Sequence, residues 1–278
     1  MPQDAMQPVR AATASSETDA EPASALIFAR GLSKTYVTAS GAVTALKNLD
    51  FEIYDGEFVS VVGQSGCGKS TLLKVLAGLL PTTTGSVELN GKPLRGPTPQ
   101  AAVVFQSPVL LPWRTVLDNV LLPIEFRKWP MANYRQSAAD LLAMVGLSEF
   151  AQRYPFELSG GMQQRTAIVR ALVQDPRLLL MDEPFGALDA MTREQMNLEL
   201  MRIWSKSDKT VIFITHSIAE AIFLSDRVIA MTARPGTIAD VININLPRPR
   251  ELSVINTDRF GRYAAQLRSL LDAKEGMF

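Results

Sequence analysis

The 278-residue chain has one cysteine, Cys67, and one histidine, His216. A single thiol excludes an intramolecular disulfide, points to a reducing compartment and leaves no cysteine cluster for zinc. A charge surplus is missing too. Lys+Arg and Asp+Glu stand at 28 each, so there is no electrostatic case for a nucleic-acid partner. No apolar run approaches the ~20 residues of a membrane-spanning helix; the best, 72–80, contains Lys74 and stops at Pro81. Residues 1–24 are rich in Ala, Ser, Thr, Pro and Glu and lack the apolar segment of a secretory signal. They are too poor in large apolar residues to offset ordering entropy and are expected to be a disordered tail. No internal repeat is visible.

What is present is an ordinary globular composition, 47% hydrophobic and 20% charged, in a chain long enough to bury a substantial core. Strand-like patterns occupy 26–32, 49–53 and 58–62, with the turn pair Asp55-Gly56 before the last. A helix is predicted over 69–80, ended by Pro81, then short strands at 86–89 and 101–105. Residues 107–175 change character: 116–122, 134–145 and 162–173 read as helices among Pro108, Pro112, Pro123, Pro130 and Pro155. The uninterrupted apolar runs 178–181 and 211–215 indicate parallel strands covered on both faces. Closing strands at 226–231 and 238–244 and an amphipathic helix at 258–271 complete an α/β core with a helical insertion.

Gly63-Gln64-Ser65-Gly66-Cys67-Gly68-Lys69-Ser70 matches the pattern G-x-x-x-x-G-K-[ST]. Chance alone would produce the four fixed positions in roughly one chain of this length in a hundred, and the strand before and helix after sharpen the match. The glycines allow successive N–H groups to converge on an anion, and the helix N-terminus adds its positive dipole end. Lys69 is expected on the β- and γ-phosphates of a nucleoside triphosphate, the Ser70 hydroxyl on magnesium, and Thr71 beside them. Cys67 fits as a small filler. A helix N-terminus also lowers a thiol's pKa, so alkylation of Cys67 slowed by MgATP is expected.

Strand 178–181 runs into Asp182-Glu183-Pro184. Ligands of open parallel sheets bind at the carboxyl ends of strands, where the phosphate loop also sits. Asp182 suits magnesium through water, since a hard ion prefers oxygen ligands. Glu183 suits a general base for the attacking water.

Together with Leu158-Ser159-Gly160-Gly161-Met162-Gln163-Gln164-Arg165, these motifs resemble those of the ATP-binding-cassette (ABC) ATPases, in family order over about residues 26–245. The resemblance implies an α/β fold, a P-loop NTPase (RecA-like) core with an N-terminal antiparallel β subdomain and an inserted α-helical subdomain. It divides the chain into a tail (1–24), an ATPase domain (25–250, with 107–175 the helical subdomain) and a C-terminal helical extension (251–278). By the same resemblance Tyr36 stacks on adenine, Gln106 links magnesium and water to the helical subdomain, and His216 contacts the γ-phosphate. Ala187-Leu188-Asp189 matches the loop that meets a second subunit. Ser159, Gly160 and Gly161 resemble the nest that holds the nucleotide of the other subunit, so two chains head to tail would make two complete sites. Met162 stands where many members have Gln, and Gln64 where Pro is common; neither supplies a catalytic group.

A lone cassette without a spanning segment resembles the importer subunits that work from the cytoplasmic face of the plasma (inner) membrane with separate permease subunits and a solute-binding protein. Leu110-Leu111-Pro112-Trp113, just after Gln106, lies where this family grips the membrane subunit, and an exposed Trp113 would be a natural anchor. That stretch and Met231-Thr232-Ala233-Arg234-Pro235-Gly236 resemble the nitrate, sulfonate, taurine and bicarbonate branch. The competing reading is a soluble cassette protein acting on nucleic acid or ribosomes. Such proteins carry two cassettes, a coiled coil or zinc-binding cysteines, none of which appears here. A non-catalytic assembly partner is disfavoured by Lys69, Glu183 and His216.

Overall fold

Strands covered on both faces read as mainly apolar runs, and four segments supply them: β3 (Phe58–Gly63), β7 (Leu178–Asp182), β8 (Thr210–Ile214) and β9 (Arg227–Met231). In the computed structural model, which describes residues 25–39, 41–186, 188–207 and 209–272, these strands form the parallel centre of a six-stranded sheet. Its order is β10-β9-β3-β8-β7-β6; β6 (Ala101–Val104) is a parallel edge, and β10 (Ile238–Asn243) pairs antiparallel with β9. A second sheet is wholly antiparallel, in the order β2-β1-β4-β5. It is built from β1 (Ala25–Thr38), β2 (Gly41–Tyr54), β4 (Thr84–Leu89) and the two-residue β5 (Lys92–Pro93).

The period of two divides the core. Leu178 and Leu180 of β7, with Ile212 and Ile214 of β8, join Val59, Val61 and the antiparallel sheet in one apolar cluster. Leu179, Met181, Val211 and Phe213 face the other way, into a cluster shared with the helices. Helix α1 (Lys69–Leu76) packs into the first cluster through Leu72, Leu73, Val75 and Leu76, each buried and contributing about 1.5–3 kcal/mol. The second cluster takes α2 (Val116–Phe126), α3 (Ala132–Met144) and α4 (Gly160–Leu172), all inserted between β6 and β7. It also takes α5 (Ala190–Trp204), α6 (Ile218–Leu224) and α7 (Asp258–Asp272).

Three expectations are corrected. The helix predicted to run to residue 80 ends at Leu76, because Gly78 takes φ +70° and a Cβ there would lie 2.3 Å from the Gly96 backbone. Pro123, read as punctuation, lies inside α2; it forfeits one N–H bond, while buried Val116, Val120, Leu121 and Ile124 hold the helix to the core. Asp182 is the last residue of β7 rather than just past it, paired with Ile214. Residues 1–24 and 273–278 lie outside the described residues, so the tail and the end of the C-terminal extension do too. No helix among the described residues is long and apolar enough to cross a membrane.

Candidate active site

The phosphate-loop segment leaves the buried β3 at Gly63 and enters α1 at Lys69. Its glycines are dictated by geometry. A Cβ at Gly63 would sit 2.6 Å from Cys67 Sγ, and one at Gly68, where φ is +96°, 2.7 Å from Leu46 and 2.8 Å from the Ala45 carbonyl. Gly68 caps α1 without a side-chain hydrogen bond, which leaves the cap position open to an anion at the helix N-terminus. Lys69 is buried and its Nζ donates to the carbonyls of Gly63 (2.8 Å) and Gln64 (3.0 Å), folding the side chain back across its own loop.

Strand β7 lies two places from β3, with β8 between, so the carboxyl ends of β3 and β7 are ~10 Å apart. The first turn of α1 bridges that gap: Ser70 Oγ donates to Asp182 Oδ1 at 3.2 Å. Burial pushes the Asp182 carboxyl above its ordinary pKa, while the Ser70 hydroxyl pulls it back and the Glu183 carboxylate adds to the rise. Glu183 follows with φ +44°, uncommon for a residue with a side chain, and its N–H is tied to Ile214 O at 2.9 Å. This sharp turn brings Glu183 Oε2 within 3.5 Å of both Gln106 Nε2 and His216 Nδ1. Loops after β6, β7 and β8 therefore converge on one carboxylate. Tyr36, on β1, shares a hydrogen bond with Thr71 Oγ1 on α1 (3.3 Å).

Ser159 caps α4, accepting from Met162 N at 3.4 Å. Ser159 and Gly160 are exposed, whereas Gly161 is packed so that a Cβ would meet Thr192 Cγ2 at 3.1 Å. Among the described residues no hydrogen bond joins 159–161 to 63–71. The start of α4 instead adjoins the first turn of α5, which Asp189 caps by accepting from Thr192 N (3.0 Å).

A family model described as ABC transporter matches residues 46–186, half of the chain. The chain belongs to the ABC transporter family. It carries the ATP-binding cassette of that family, an ATPase unit. An uncharacterized ABC transporter ATP-binding protein of Methanocaldococcus jannaschii is 50% identical over 224 residues, covering 81% of this chain and 84% of the relative. The taurine import ATP-binding protein of Rhizobium johnstonii is 44% identical (84% and 92% covered), and the nitrate transport protein of Klebsiella oxytoca 42% identical (90% and 97% covered). Among solved structures, a dimeric post-hydrolysis ATP-binding cassette bound to ADP and Pi superposes with a TM-score of 0.70 at 33% identity. It covers 80% of this chain and 100% of that one.

Of the residues expected in the site, 63–71, Asp182, Glu183, Gln106, His216 and Tyr36 lie along one rim of this cassette, and 159–161 lie apart from them. Ala187 falls outside the described residues. The expected reactivity of Cys67 is overturned. Its side chain is 0% exposed beneath the loop, and burial pushes the thiol pKa up despite the nearby Lys69 ammonium. Sequence reasoning also missed Gly236, which supports the loop from below. A Cβ there would lie 2.1 Å from the Cys67 carbonyl, and its N–H donates to Ala45 O at 2.9 Å. The glycine itself was the signal, standing next to a proline between two strands.

Beyond Gln106, Trp113 is 71% exposed. Its loop is held from behind by the buried Asn119, which accepts from Leu111 N (2.7 Å) and donates to the carbonyls of Leu111, Arg114 and Thr115. Val116 N bonds Arg153 O (2.8 Å), which brings the stacked and exposed pair Tyr154 and Phe156 beside the start of α2. That pair was missed as well, because aromatic residues flanking a proline read equally well as core.

Proposed function

We propose that this chain is the ATP-hydrolysing subunit of an importer for a small solute of the nitrate, sulfonate, taurine or bicarbonate kind. It works peripherally at the cytoplasmic face of the plasma membrane with separate permease subunits and a solute-binding protein. The observation that carries the catalytic part is the meeting of Gln106, Glu183 and His216 beside the Ser70–Asp182 pair at the mouth of the phosphate loop.

In this reading the loop N–H groups and Lys69 hold the β- and γ-phosphates, and Tyr36 receives the adenine. Ser70, Asp182 and Gln106 offer oxygens to magnesium. Among the described residues no cluster of three His, Cys, Asp or Glu could hold a metal unaided, which suits an ion that completes its shell with phosphate and water. A magnesium ion held by these residues would supply charge neutralisation to the phosphates. Glu183 takes the proton of the attacking water as its oxygen bonds to the γ-phosphorus and ADP departs. His216 donates a hydrogen bond to the γ-phosphate in either of its protonation states.

Ser159–Gly161 and the Asp189 turn adjoin through Gly161 and Thr192, forming one surface for the nucleotide of a second copy. The exposed Met191 lies on that same turn. We take 25–250 as the cassette, with 107–175 its helical subdomain. Trp113, Tyr154 and Phe156 form the face offered to the permease; an exposed aromatic cluster with a braced backbone is suited to anchor a partner. Co-expression with a candidate permease of the nitrate, taurine or bicarbonate importer class tests the assignment. Trp113→Ala is expected to lose co-purification while keeping MgATP binding, and retention of the permease by Trp113→Ala together with Phe156→Ala would refute this face.

A further inference from the structure

Glu220 is a carboxylate only 7% exposed, behind the catalytic turn and absent from the roles assigned so far. Thr215 Oγ1 donates to its Oε2 at 2.6 Å and accepts from Ser217 N at 3.0 Å, while Ser217 Oγ accepts from Glu220 N at 3.3 Å. These three bonds close around His216, which sits between Thr215 and Ser217. They fix the turn that presents it. Burial raises the Glu220 pKa, and Thr215, Arg193 and His216 oppose the rise.

The other oxygen, Oε1, faces Arg193 Nε at 3.6 Å. That is longer than the 2.7–3.2 Å of an N–H···O hydrogen bond. Arg193 Nε is buried and has no hydrogen-bond partner among the described residues. Meanwhile Arg193 Nη2 donates to Leu188 O at 2.9 Å, in the loop that leads from Glu183 to the Asp189 cap of α5. A polar chain, Thr215–Glu220–Arg193–Leu188, thus runs from the His216 turn to the loop beyond Glu183, with one link left open. Buried donors are almost always satisfied, so an orphan facing a carboxylate oxygen needs a reason.

We propose that Glu220 and Arg193 are positioning residues that couple the Leu188–Asp189 loop to His216. Displacement of that loop by a second copy closes the Arg193–Glu220 hydrogen bond and holds the His216 turn in the place hydrolysis requires. The movement needed is about 0.7 Å, from the present separation to the usual bond length. The inference rests on the reading of Glu183 and His216 as catalytic and of the Leu188–Asp189 loop as facing a second copy.

The test uses the full chain and compares wild type with Glu220→Gln, Arg193→Met and their double mutant. Glu220→Gln keeps shape and an acceptor for Thr215 but loses the charge; Arg193→Met loses both donors. Misplacement of catalytic groups by an ångström costs up to about 10²-fold in rate, so each single mutant is expected to lose roughly ten-fold in kcat. The dissociation constant for a fluorescent ATP analogue should stay near wild type, and rates are compared well below each variant's melting temperature, because removing one partner of a buried pair costs stability. Because both residues act through one link, the double mutant should be about as slow as the slower single mutant rather than the product of both losses. Thr215→Val, which removes the hydroxyl at the far end of the chain, should reproduce the kcat loss if Glu220→Gln folds poorly.

Single-mutant rates within two-fold of wild type, multiplying losses, or a kcat loss matched by weaker nucleotide binding would each overturn the proposal. Glu183→Gln is run alongside. If it turns over ATP at the wild-type rate, the catalytic reading fails and takes this inference with it. If it is nearly inactive while Glu220→Gln and Arg193→Met are unimpaired, this inference alone fails.

Discussion

Replacing Arg250 with Met should destabilise the protein by about 3–5 kcal/mol without touching the nucleotide site, because it removes the donors of several buried carbonyls at once. Arg250 is 4% exposed, and its Nη1 donates to the carbonyls of Ile222, Phe223 and Ser225, each at 2.9 Å. Nη2 reaches Ile244 O at 3.2 Å and Leu246 O at 3.4 Å. The first three belong to the C-terminal end of α6, whose last carbonyls have no intrahelical partner. The Leu224 carbonyl, between them, is taken by Arg248 Nη2 at 2.7 Å, so two arginines cap the whole helix end. Burial pulls the Arg250 pKa down to about 10, which leaves it charged at neutral pH. Methionine would fill much of the same space but leave three short-bonded carbonyls without a donor, at about 1–3 kcal/mol each. Water entry and relief of the buried charge offset part of that sum, bringing it into the stated range. For a protein of this size the expected fall in melting temperature is roughly 10 °C. Urea unfolding with and without MgATP measures the loss, and nucleotide affinity at 20 °C should not change. A destabilisation below 1 kcal/mol, or a collapse of ATP binding in the folded protein, would refute this account of Arg250.

Asp182→Asn should raise the melting temperature of the nucleotide-free protein at neutral pH while weakening MgATP binding, since it removes a half-buried charge but also the proposed magnesium ligand. The sign follows from the direction of the shift. A carboxyl whose folded pKa is raised costs stability above that pKa, and the cost fades as pH falls through it, so the advantage of Asn over Asp should shrink in acid. An unchanged or lowered melting temperature at pH 7 would contradict it. Cys67 should resist N-ethylmaleimide in the folded protein and react promptly in urea, in line with its burial; rapid native labelling would place the thiol at the surface instead.

The legible parts of this fold were those where composition and geometry demand the same residues. The runs 178–181 and 211–215 are short, uninterrupted and apolar, as strands covered on both sides are, and the phosphate loop states its glycines and lysine in order. The long β1–β2 hairpin was not legible beyond its buried ends. Residues 37–39 and 41–45 are mostly exposed there and lack clean alternation, with Val37 89% and Val43 56% exposed. Pro123 misled because its penalty in a helix is outweighed by the apolar face of α2. The individual partners in the site were visible as motifs, but their convergence was not. No spacing says that loops after β6, β7 and β8 bring Gln106, Glu183 and His216 to one oxygen, since strand order is set by long-range packing. The filler role of Cys67 was legible, but its expected reactivity was not sound: the dipole at a helix N-terminus is visible in sequence, whereas the desolvation that outweighs it depends on burial beneath the loop, where a Cβ at Gly63 would lie 2.6 Å from the thiol sulfur.

The central claim is that one chain holds two unlike halves of a site completed by a second copy around ATP. Sedimentation velocity of Glu183→Gln, with and without MgATP, tests it most directly. Loss of a general base typically slows turnover about 10²–10⁴-fold, so the variant should hold ATP unhydrolysed. The account predicts a monomer without nucleotide and a dimer with MgATP, which Ser159→Arg in the same background converts back to monomer. A species that stays monomeric at saturating MgATP, or a dimer indifferent to both nucleotide and Ser159, would contradict it.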